Sequence, residues 1–456
     1  MDFTGPIIAI LVIAVVVMLL LRKVYPHAVL LFAGLLMLSI GFLLDGQLPT
    51  LKKPSGTFGL DIFKYVTAAF AKTNAGVGLM IMAIGGFVAY IDSIGASKAL
   101  VKLAMKPLGL LRKTPNLAAA AVIPIGQILF VAIPSAAGLS LLLMASVFPI
   151  LKNLGVSNLS AVSVITATTA VGMGPASAVT VSASTLLEMP TVEYFVSNQL
   201  PLFIPLTIAL TITYFFVIRY HHRRDMTEEV QEQKSHDHEE DKTAPSFYAL
   251  IPILPILLLV FFSEFNSLLS KPLSLDTTTA MFISLFVAMI FEGIRKRSFS
   301  EALSSLKTFW NGMGNIFKTV VTLIIAAEIF SKGLISLGFI DGLLYVSQNI
   351  GFGPIGIGVL MTIMIFLASM LMGSGNAAFF SFGPLVPSMA SNLGVKGVTM
   401  ILPMNFAASM GRTVSPVAGV IIATSEIAGV STFQIVKRNL IPIAATFLTM
   451  LIYHFI

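Results

Sequence analysis

The sequence predicts an all-α integral membrane protein, and three observations lead to that prediction. First, 56% of its 456 residues are apolar and only 11% are charged, too few charges for a water-facing surface of this size. Second, apolar runs long enough to cross about 30 Å of hydrocarbon as helices recur along the chain. Third, lipid offers no partner to exposed backbone groups, and the sequence lacks the short alternating strands of a membrane barrel.

Ten apolar runs are predicted to be transmembrane helices. They lie near residues 6–21, 27–44, 76–95, 158–187, 199–218, 246–263, 277–294, 312–331, 397–427 and 439–456. Two further apolar segments, 117–151 and 354–391, exceed one crossing and fall short of two. Small or helix-breaking residues occupy their middles, at 134–138 and 373–376, which predicts two re-entrant hairpins. Such broken backbone is tolerated at membrane depth only where protein or a cavity surrounds it.

Lysine and arginine predict the orientation, because cytoplasmic loops retain them. With the amino terminus outside, 20 of the 28 lysines and arginines fall on the cytoplasmic side, and both termini lie outside. The net charge of +7 therefore reflects topology and indicates no nucleic-acid partner. The hydrophilic segment 219–245 has few apolar residues to bury, so we predict a mobile cytoplasmic linker there.

The linker separates two halves that resemble each other. The tetrapeptide Asn-Leu-Gly-Val occurs at 153–156 and 392–395, and the same interval of 239 residues relates Ser135 to Ser374. Under the predicted orientation the first unit starts outside and the second inside, so the two repeats are inverted in the membrane. Inverted repeats with interrupted helices at matching positions are typical of secondary transporters, whose site lies near the bilayer midplane.

These patterns divide the chain into five parts. They are N-terminal scaffold helices (1–60), a first inverted repeat (61–218), the linker (219–245), further scaffold helices (246–300) and a second inverted repeat (301–456). The first repeat contains hairpin 117–151 and a broken helix at 158–187. The second contains hairpin 354–391 and a broken helix at 397–427.

Four interruptions are predicted to form the transport site: the two hairpin tips and the helix breaks at 172–177 and 411–416. Glycine permits unwound backbone, and proline ends a helix. Half-helices that begin at such breaks direct free N–H groups and partial positive charge at a carboxylate, while free carbonyl and side-chain oxygens suit Na⁺. Packing kinks are the alternative, since small residues also let membrane helices approach closely.

Arg412 lies in the middle of a predicted span. A charge at that depth costs about 3 kcal/mol on insertion scales, so it requires a cavity or a partner. Because a guanidinium binds a carboxylate through two parallel hydrogen bonds, we expect Arg412 to hold one carboxylate of an anionic substrate. The alternative is a structural ion pair with Glu328 or Glu426.

Glu328 is a candidate for cation coupling, because a desolvated carboxyl tends to hold its proton near neutral pH. Pairing with Lys332, one helical turn on, is an equal alternative. The candidate substrate-binding residues are Ser135, Gly138, Ser374, Asn376, Asn405, Arg412, Thr413 and Ser415. The candidate cation-coupling residues are Ser135, Gly174, Ser177, Ser374, Asn376 and Glu328. We predict no cofactor and no metal other than Na⁺. The candidate coupling ions are Na⁺ and H⁺.

The segment 410–419, Met-Gly-Arg-Thr-Val-Ser-Pro-Val-Ala-Gly, resembles the Leu-Gly-Arg-Thr-Leu-Ser-Pro-Val-Ser-Gly segment of the DcuC family of anaerobic C4-dicarboxylate carriers. Gly-Ser-Gly-Asn-Ala at 373–377 is similar to that family's second hairpin tip, and the resemblance runs from about residue 60 to 440. It implies a member of the ion-transporter superfamily in the bacterial cytoplasmic membrane. It also implies a homodimer with a scaffold and a mobile transport part that moves by an elevator-type mechanism.

Sequence and resemblance together predict a secondary active transporter of C4-dicarboxylates such as succinate, fumarate, malate or aspartate, working by cation-coupled transport or exchange. A carrier of another organic anion on the same fold, a tricarboxylate or an acidic amino acid, is the alternative, and a passive channel is a further one. A membrane enzyme is not predicted, because the six histidines lie in the linker or near span ends. An ATP-driven pump is disfavoured because the chain contains no Gly-Lys step of a P-loop.

Overall fold

The computed structural model describes residues 4–22, 24–45, 55–111, 114–229, 244–263, 275–350 and 353–456. Every regular element within these ranges is a helix, which confirms the all-α prediction. Nine helices in the described ranges are long and apolar enough to cross a membrane, and four shorter apolar helices accompany them. All ten predicted spans coincide with helical segments, although several of their bounds differ.

Two helices, α1 (Thr4–Leu21) and α2 (Pro26–Asp45), precede a first series of seven elements. The series consists of α3 (Phe58–Ser93), α4 (Ala96–Ala104), α5 (Pro115–Ala132), α6 (Ala136–Asn153), α7 (Asn158–Ala167), α8 (Ala178–Leu186) and α9. Helix α9 is continuous through Thr191–Glu193, Tyr194–Gln199 and Leu200–Glu229. Helices α10 (Ser246–Phe261) and α11 (Thr277–Lys296) follow.

A second series of seven elements then repeats the order of the first. It consists of α12 (Phe299–Ser336), α13 (Phe339–Ile350), α14 (Pro354–Met372), α15 (Gly375–Phe382, Gly383–Leu385 and Val386–Leu393), α16 (Gly397–Thr413), α17 (Gly419–Ala428) and α18 (Thr432–Phe455). Each series therefore contains a long helix, a short helix, a helical hairpin, a broken helix and a closing long helix.

The two long helices α3 and α12 cross at closely packed glycines. A methyl group on Gly85 would lie 2.0 Å from a side-chain carbon of Ile316, and one on Gly312 would lie 2.7 Å from Cβ of Ala89. Both helices also contain a π-helical turn, at Asn74–Gly78 and at Phe317–Val321. Gly76 lies inside the first turn with non-helical dihedral angles (φ −106°, ψ −114°), so α3 is kinked there.

The other helices pack on this pair or on one another. Helix α2 packs along the second part of α12, where Gly34 approaches the backbone of Phe330. Helices α10 and α11 pack against each other, α11 also against α3 and α12, and α4 lies on the start of α10. The closing helices α9 and α18 pack side by side, which places the two broken helices α7–α8 and α16–α17 next to each other.

Several predicted boundaries differ from the structure. The spans predicted at 76–95 and 312–331 begin earlier, at Phe58 and Phe299, because their first parts carry charges such as Asp61 and Lys307 that interrupt the apolar run without ending the helix. Helix α9 continues to Glu229, well into the segment for which the sequence predicts a linker. The rest of that predicted linker, residues 230–243, lies outside the described residues.

Each limb of the first hairpin, α5 and α6, has 18 residues, so each is as long as a membrane-crossing helix. The sequence predicts a re-entrant hairpin at this place. The turn between the limbs falls at 133–135 and overlaps the predicted tip at 134–138.

Candidate functional site

Both hairpin tips are capped by a serine. Ser135 precedes α6, and its Oγ accepts a hydrogen bond from the backbone N–H of Gly138 at 3.1 Å. Ser374 precedes α15, and its Oγ accepts from Ala377 N–H at 3.2 Å. Such a cap satisfies one of the free N–H groups of the first turn and leaves others available to a ligand. Both serines are half-buried, and the two tips are alike in this respect.

Each hairpin's first limb packs against the helix break of its own half. A methyl group on Gly174, in the first break, would lie 2.8 Å from Cγ1 of Val131 at the end of α5. A methyl group on Gly373, at the end of α14, would lie 2.9 Å from the carbonyl of Val417 in the second break. Gly373 also has a φ of +68°, a conformation that glycine adopts at little cost.

Each hairpin's second limb packs against the other half. Helix α6 lies against α17, and α15 lies against α8. The structure therefore brings the four predicted interruptions into one region, with each break lined by both halves of the chain.

The first break consists of residues 168–177, between α7 and α8. Gly174 has a φ of +104°, and its N–H donates to Oε1 of Gln199 at 3.1 Å. The carbonyl of Gly172 accepts from Nδ2 of Asn405 at 2.9 Å, and the carbonyl of Thr169 accepts from Nη2 of Arg412 at 2.8 Å. The first break thus presents backbone acceptors to donors of the second half.

The second break consists of residues 414–418, between α16 and α17. The carbonyl of Thr413 accepts from Nδ2 of Asn439 at 3.0 Å, and Asn439 also donates to Oγ1 of Thr166 at 3.2 Å. Oδ1 of Asn439 accepts from the hydroxyl of Tyr214 at 2.8 Å. The hydroxyl of Thr413 donates back to the carbonyl of Ser409 within the helix, at 3.0 Å.

Arg412 is half-buried beside the second break and close to the first. None of the ion pairs formed among the described residues includes it. Its Nε is buried and has no hydrogen-bond partner in the part of the chain that the structure describes, and the same holds for the buried Oγ of Ser415. Buried polar atoms are usually paired in folded proteins, so these two, three residues apart, are groups that a polar ligand would satisfy.

Asn405 lies on the same helix as Arg412, seven residues earlier, and is fully buried. Two turns of helix separate the two side chains, so they project from nearly the same face. Asn376, in the first turn of α15, is half-buried, as is Gly138 in the first turn of α6. Ser177 is half-buried at the start of α8.

Glu328 is the site candidate that lies elsewhere. Its Oε1 is 3.5 Å from Nζ of Lys72, and its Oε2 accepts from Oγ1 of Thr73 at 3.0 Å. Both partners are on α3, so Glu328 links α12 to α3, outside the contacts that join the two breaks. Among the described residues, Glu328 forms an ion pair with Lys72 and not with Lys332, the partner considered from the sequence.

Two buried amides, Gln199 and Asn439, are not among the residues that the sequence predicts for the site. Gln199 lies at the edge of an apolar run, and Asn439 follows Lys437 and Arg438, so both are easily taken for residues of a membrane boundary. An isolated amide within or beside a spanning segment is costly unless it is paired, and this is the signal that could have identified them.

The family described as the DcuC C4-dicarboxylate anaerobic carrier matches residues 5–456 of the chain. The anaerobic C4-dicarboxylate transporter DcuC of Escherichia coli (strain K12) is 32% identical over 445 residues, which cover 97% of this chain and 94% of the relative. The probable anaerobic C4-dicarboxylate transporter DcuC of Vibrio cholerae is 33% identical over 429 residues, which cover 94% of this chain and 92% of the relative.

Two solved structures of transporters share the fold at low sequence identity. The YdaH transporter of Alcanivorax borkumensis superposes with a TM-score of 0.61 at 14% identity, covering 94% of this chain and 97% of that one. MtrF of Neisseria gonorrhoeae superposes with a TM-score of 0.51 at 13% identity, covering 95% and 96%. Both neighbours are membrane transporters, in keeping with a multi-pass membrane fold.

Proposed function

Because the chain belongs to the DcuC family of C4-dicarboxylate anaerobic carriers, we propose that it is a secondary active transporter of C4-dicarboxylates such as succinate, fumarate, malate or aspartate. The observation that carries the proposal is the environment of Arg412. Its guanidinium donates to the carbonyl of Thr169, lies in none of the ion pairs among the described residues and has an unpartnered Nε. It therefore has a fixed positive charge and free donors to offer.

The binding mode follows from the chemistry of that region. One substrate carboxylate accepts hydrogen bonds from Arg412, with Asn405, Thr413 and Ser415 shaping the same wall of the site. The second carboxylate lies near the capped N-termini of α6 and α15, where Ser135, Gly138, Ser374 and Asn376 are located. Free N–H groups and the partial positive charge of these helix starts favour a carboxylate.

The two series of helices support a transport mechanism with alternating access. In our proposal, α3–α9 and α12–α18 are inverted repeats, because under the charge-based orientation the first series starts outside and the second inside. Hairpins and broken helices form a mobile part that moves in an elevator-type manner against α1, α2, α10 and α11. We further propose a homodimer in the bacterial cytoplasmic membrane, with both termini outside.

Coupling to a cation, or exchange of one dicarboxylate for another, completes the proposal. Oxygen atoms near the hairpin tips and breaks suit Na⁺, and these belong to the candidates Ser135, Gly174, Ser177, Ser374 and Asn376. Glu328 is a less direct candidate for proton coupling, because its contacts are with α3. A carrier of a tricarboxylate or an acidic amino acid is the alternative on the same fold.

Purified protein in liposomes loaded with unlabelled succinate tests the proposal. We expect labelled succinate to accumulate by exchange and to be displaced by fumarate, malate and aspartate but not by butyrate, which has one carboxylate. Imposed Na⁺ and pH gradients, applied separately to liposomes without internal substrate, identify the coupling ion. Protein-free liposomes are the control. Exchange of citrate or glutamate, with no exchange of any C4 diacid, would contradict the proposal in favour of the alternative anions.

A further inference from the structure

Gln199 lies fully buried at the start of the long part of α9, and it contacts both halves of the molecule. Its Oε1 accepts from Gly174 N–H at 3.1 Å. Its Nε2 donates to Oγ1 of Thr180 at 3.0 Å and to Oδ1 of Asn405 at 3.2 Å. Both N–H groups and the oxygen of this amide are therefore used.

Asn405 extends this contact into a chain of hydrogen bonds from Gly174 to Gln199, from Gln199 to Asn405 and from Asn405 to Gly172, which we call the relay. Its Nδ2 donates to the carbonyl of Gly172 at 2.9 Å, so the chain of bonds begins at Gly174 and ends two residues away at Gly172. The relay thus joins two residues of the first break, and one of its two side chains, Asn405, belongs to α16 of the second half.

The two ends of the relay fix the direction of both amides. A backbone N–H only donates, so the oxygen of Gln199 faces Gly174 and its nitrogen faces Asn405. A carbonyl only accepts, so the nitrogen of Asn405 faces Gly172 and its oxygen faces Gln199. One arrangement of the two side chains satisfies every group, and turning either amide around places two oxygens or two nitrogens against each other.

The same relay determines where α16 lies relative to the first break. Arg412 is on nearly the same face of α16 as Asn405, two turns later, and donates to Thr169 of that break. A shift at Asn405 therefore moves the guanidinium relative to both breaks.

We propose that Gln199 is a positioning residue of the transport site: through Asn405 it holds Arg412 in the orientation that receives a substrate carboxylate. Gln199 itself touches no substrate. The inference rests on the proposed function, since the effect is read through binding of a dicarboxylate.

The variant Gln199→Glu tests the donor and acceptor roles of the Gln199 amide in the relay with almost no change of side-chain volume. An ionised carboxylate only accepts, so it opposes the oxygen of Asn405, and a protonated carboxyl has one donor where the amide has two. In either form Asn405 or Thr180 loses the hydrogen bond that Gln199 donates. We expect the half-saturation concentration for succinate to rise about tenfold, equivalent to about one hydrogen bond to a charged group, while the maximal rate per folded protein changes less than twofold. Gln199→Asn keeps the amide but is one methylene shorter, so we expect a smaller rise in the half-saturation concentration for succinate than in Gln199→Glu.

Gln127→Glu is the matched control. Gln127 is a buried glutamine on α5 whose Oε1 accepts from Oγ1 of Thr207, which is not a member of the relay. We expect Gln127→Glu to lower the melting temperature while leaving the half-saturation concentration unchanged. An unchanged half-saturation concentration in Gln199→Glu, with transport reduced only in proportion to the folded fraction, would overturn the proposal.

Hydrogen exchange of peptides covering 168–177 and 405–415 separates this proposal from the proposed function, because it needs no substrate. We expect both segments to exchange faster in Gln199→Glu and in Gln199→Asn, and to be unaffected in Gln127→Glu. If the wild type transports no dicarboxylate yet shows this pattern, the proposed function fails and the relay stands. Unaltered exchange at 405–415 in both Gln199 variants would refute the relay whatever the substrate.

Discussion

The two broken helices occupy matching places in the two series, yet they are built differently. The first break has ten residues, 168–177, none of them charged, and offers the carbonyls of Thr169 and Gly172. The second has five residues, 414–418, and the helix before it carries Arg412 and Asn405, the donors to those carbonyls. The comparison indicates that the first half supplies backbone acceptors and the second half supplies side-chain donors.

The closing helices reinforce each break with an amide, again in different ways. Gln199 of α9 accepts from the N–H of Gly174 in the first break. Asn439 of α18 donates to the carbonyl of Thr413 at the second. An N–H is bound in the first break and a carbonyl at the second, so the two closing helices use the same type of side chain to satisfy opposite backbone groups.

The largest expected effect is a difference in stability between alanine variants of two glycines 239 residues apart, Gly411 and Gly172. A methyl group on Gly411 would lie 2.2 Å from the carbonyl oxygen of Phe366, which is backbone and cannot move alone. On Gly172 it would lie 2.2 Å from Oγ of Ser409, which can rotate. We expect Gly411→Ala to cost about 3 kcal/mol of unfolding free energy and Gly172→Ala about 1 kcal/mol, measured by thermal unfolding in detergent.

Gly314→Ala is the control for this pair, because a methyl group there meets open space within its helix. We expect it to be neutral or stabilising by up to about 1 kcal/mol. Equal losses of stability in Gly411→Ala and Gly172→Ala would show that the two breaks are packed alike.

A second, intermediate effect concerns Asn439. Replacement by Ala leaves the hydroxyl of Tyr214 and the carbonyl of Thr413 without this partner, while the hydroxyl of Thr166 keeps its bond to the carbonyl of Ser163. We expect a loss of about 2–3 kcal/mol. Tyr214→Phe removes one of these bonds and should cost about 1 kcal/mol. Thermal unfolding of both variants measures the two losses of stability. A larger loss in Tyr214→Phe than in Asn439→Ala would contradict the assignment of Asn439 as the residue that stabilises the second break.

The smallest effect is expected at Glu328, outside both breaks. Lys72 is 80% exposed on its side chain, and exposed ion pairs contribute less than about 1 kcal/mol. Glu328→Gln retains an acceptor for Thr73, so we expect succinate exchange within about twofold of wild type, matched by Lys72→Met. A loss of pH-gradient-driven uptake in Glu328→Gln, with Lys72→Met normal, would instead make Glu328 the proton carrier.

Much of the fold could be predicted from the sequence, because apolar runs, prolines and glycines determine where helices begin and end. The turn after Ala132 and the break after Thr413 fall where the sequence predicts them. The first parts of α3 and α12 were missed because charged residues such as Asp61 hide a helix that packing completes. The partners of Gln199 and Asn439 lie 19 or more residues away along the chain, and the spacing of residues in the sequence does not predict such contacts.

The most direct test of the central claim is the dissociation constant for succinate of purified Arg412→Gln compared with wild type. We predict that it rises about 100-fold, since loss of a paired carboxylate contact costs about 3 kcal/mol, and that Arg412→Lys lies between the two. Arg438→Gln, a change at another buried arginine, serves as the control and should retain wild-type affinity. Wild-type affinity for succinate in folded Arg412→Gln would contradict the claim that this guanidinium binds the substrate.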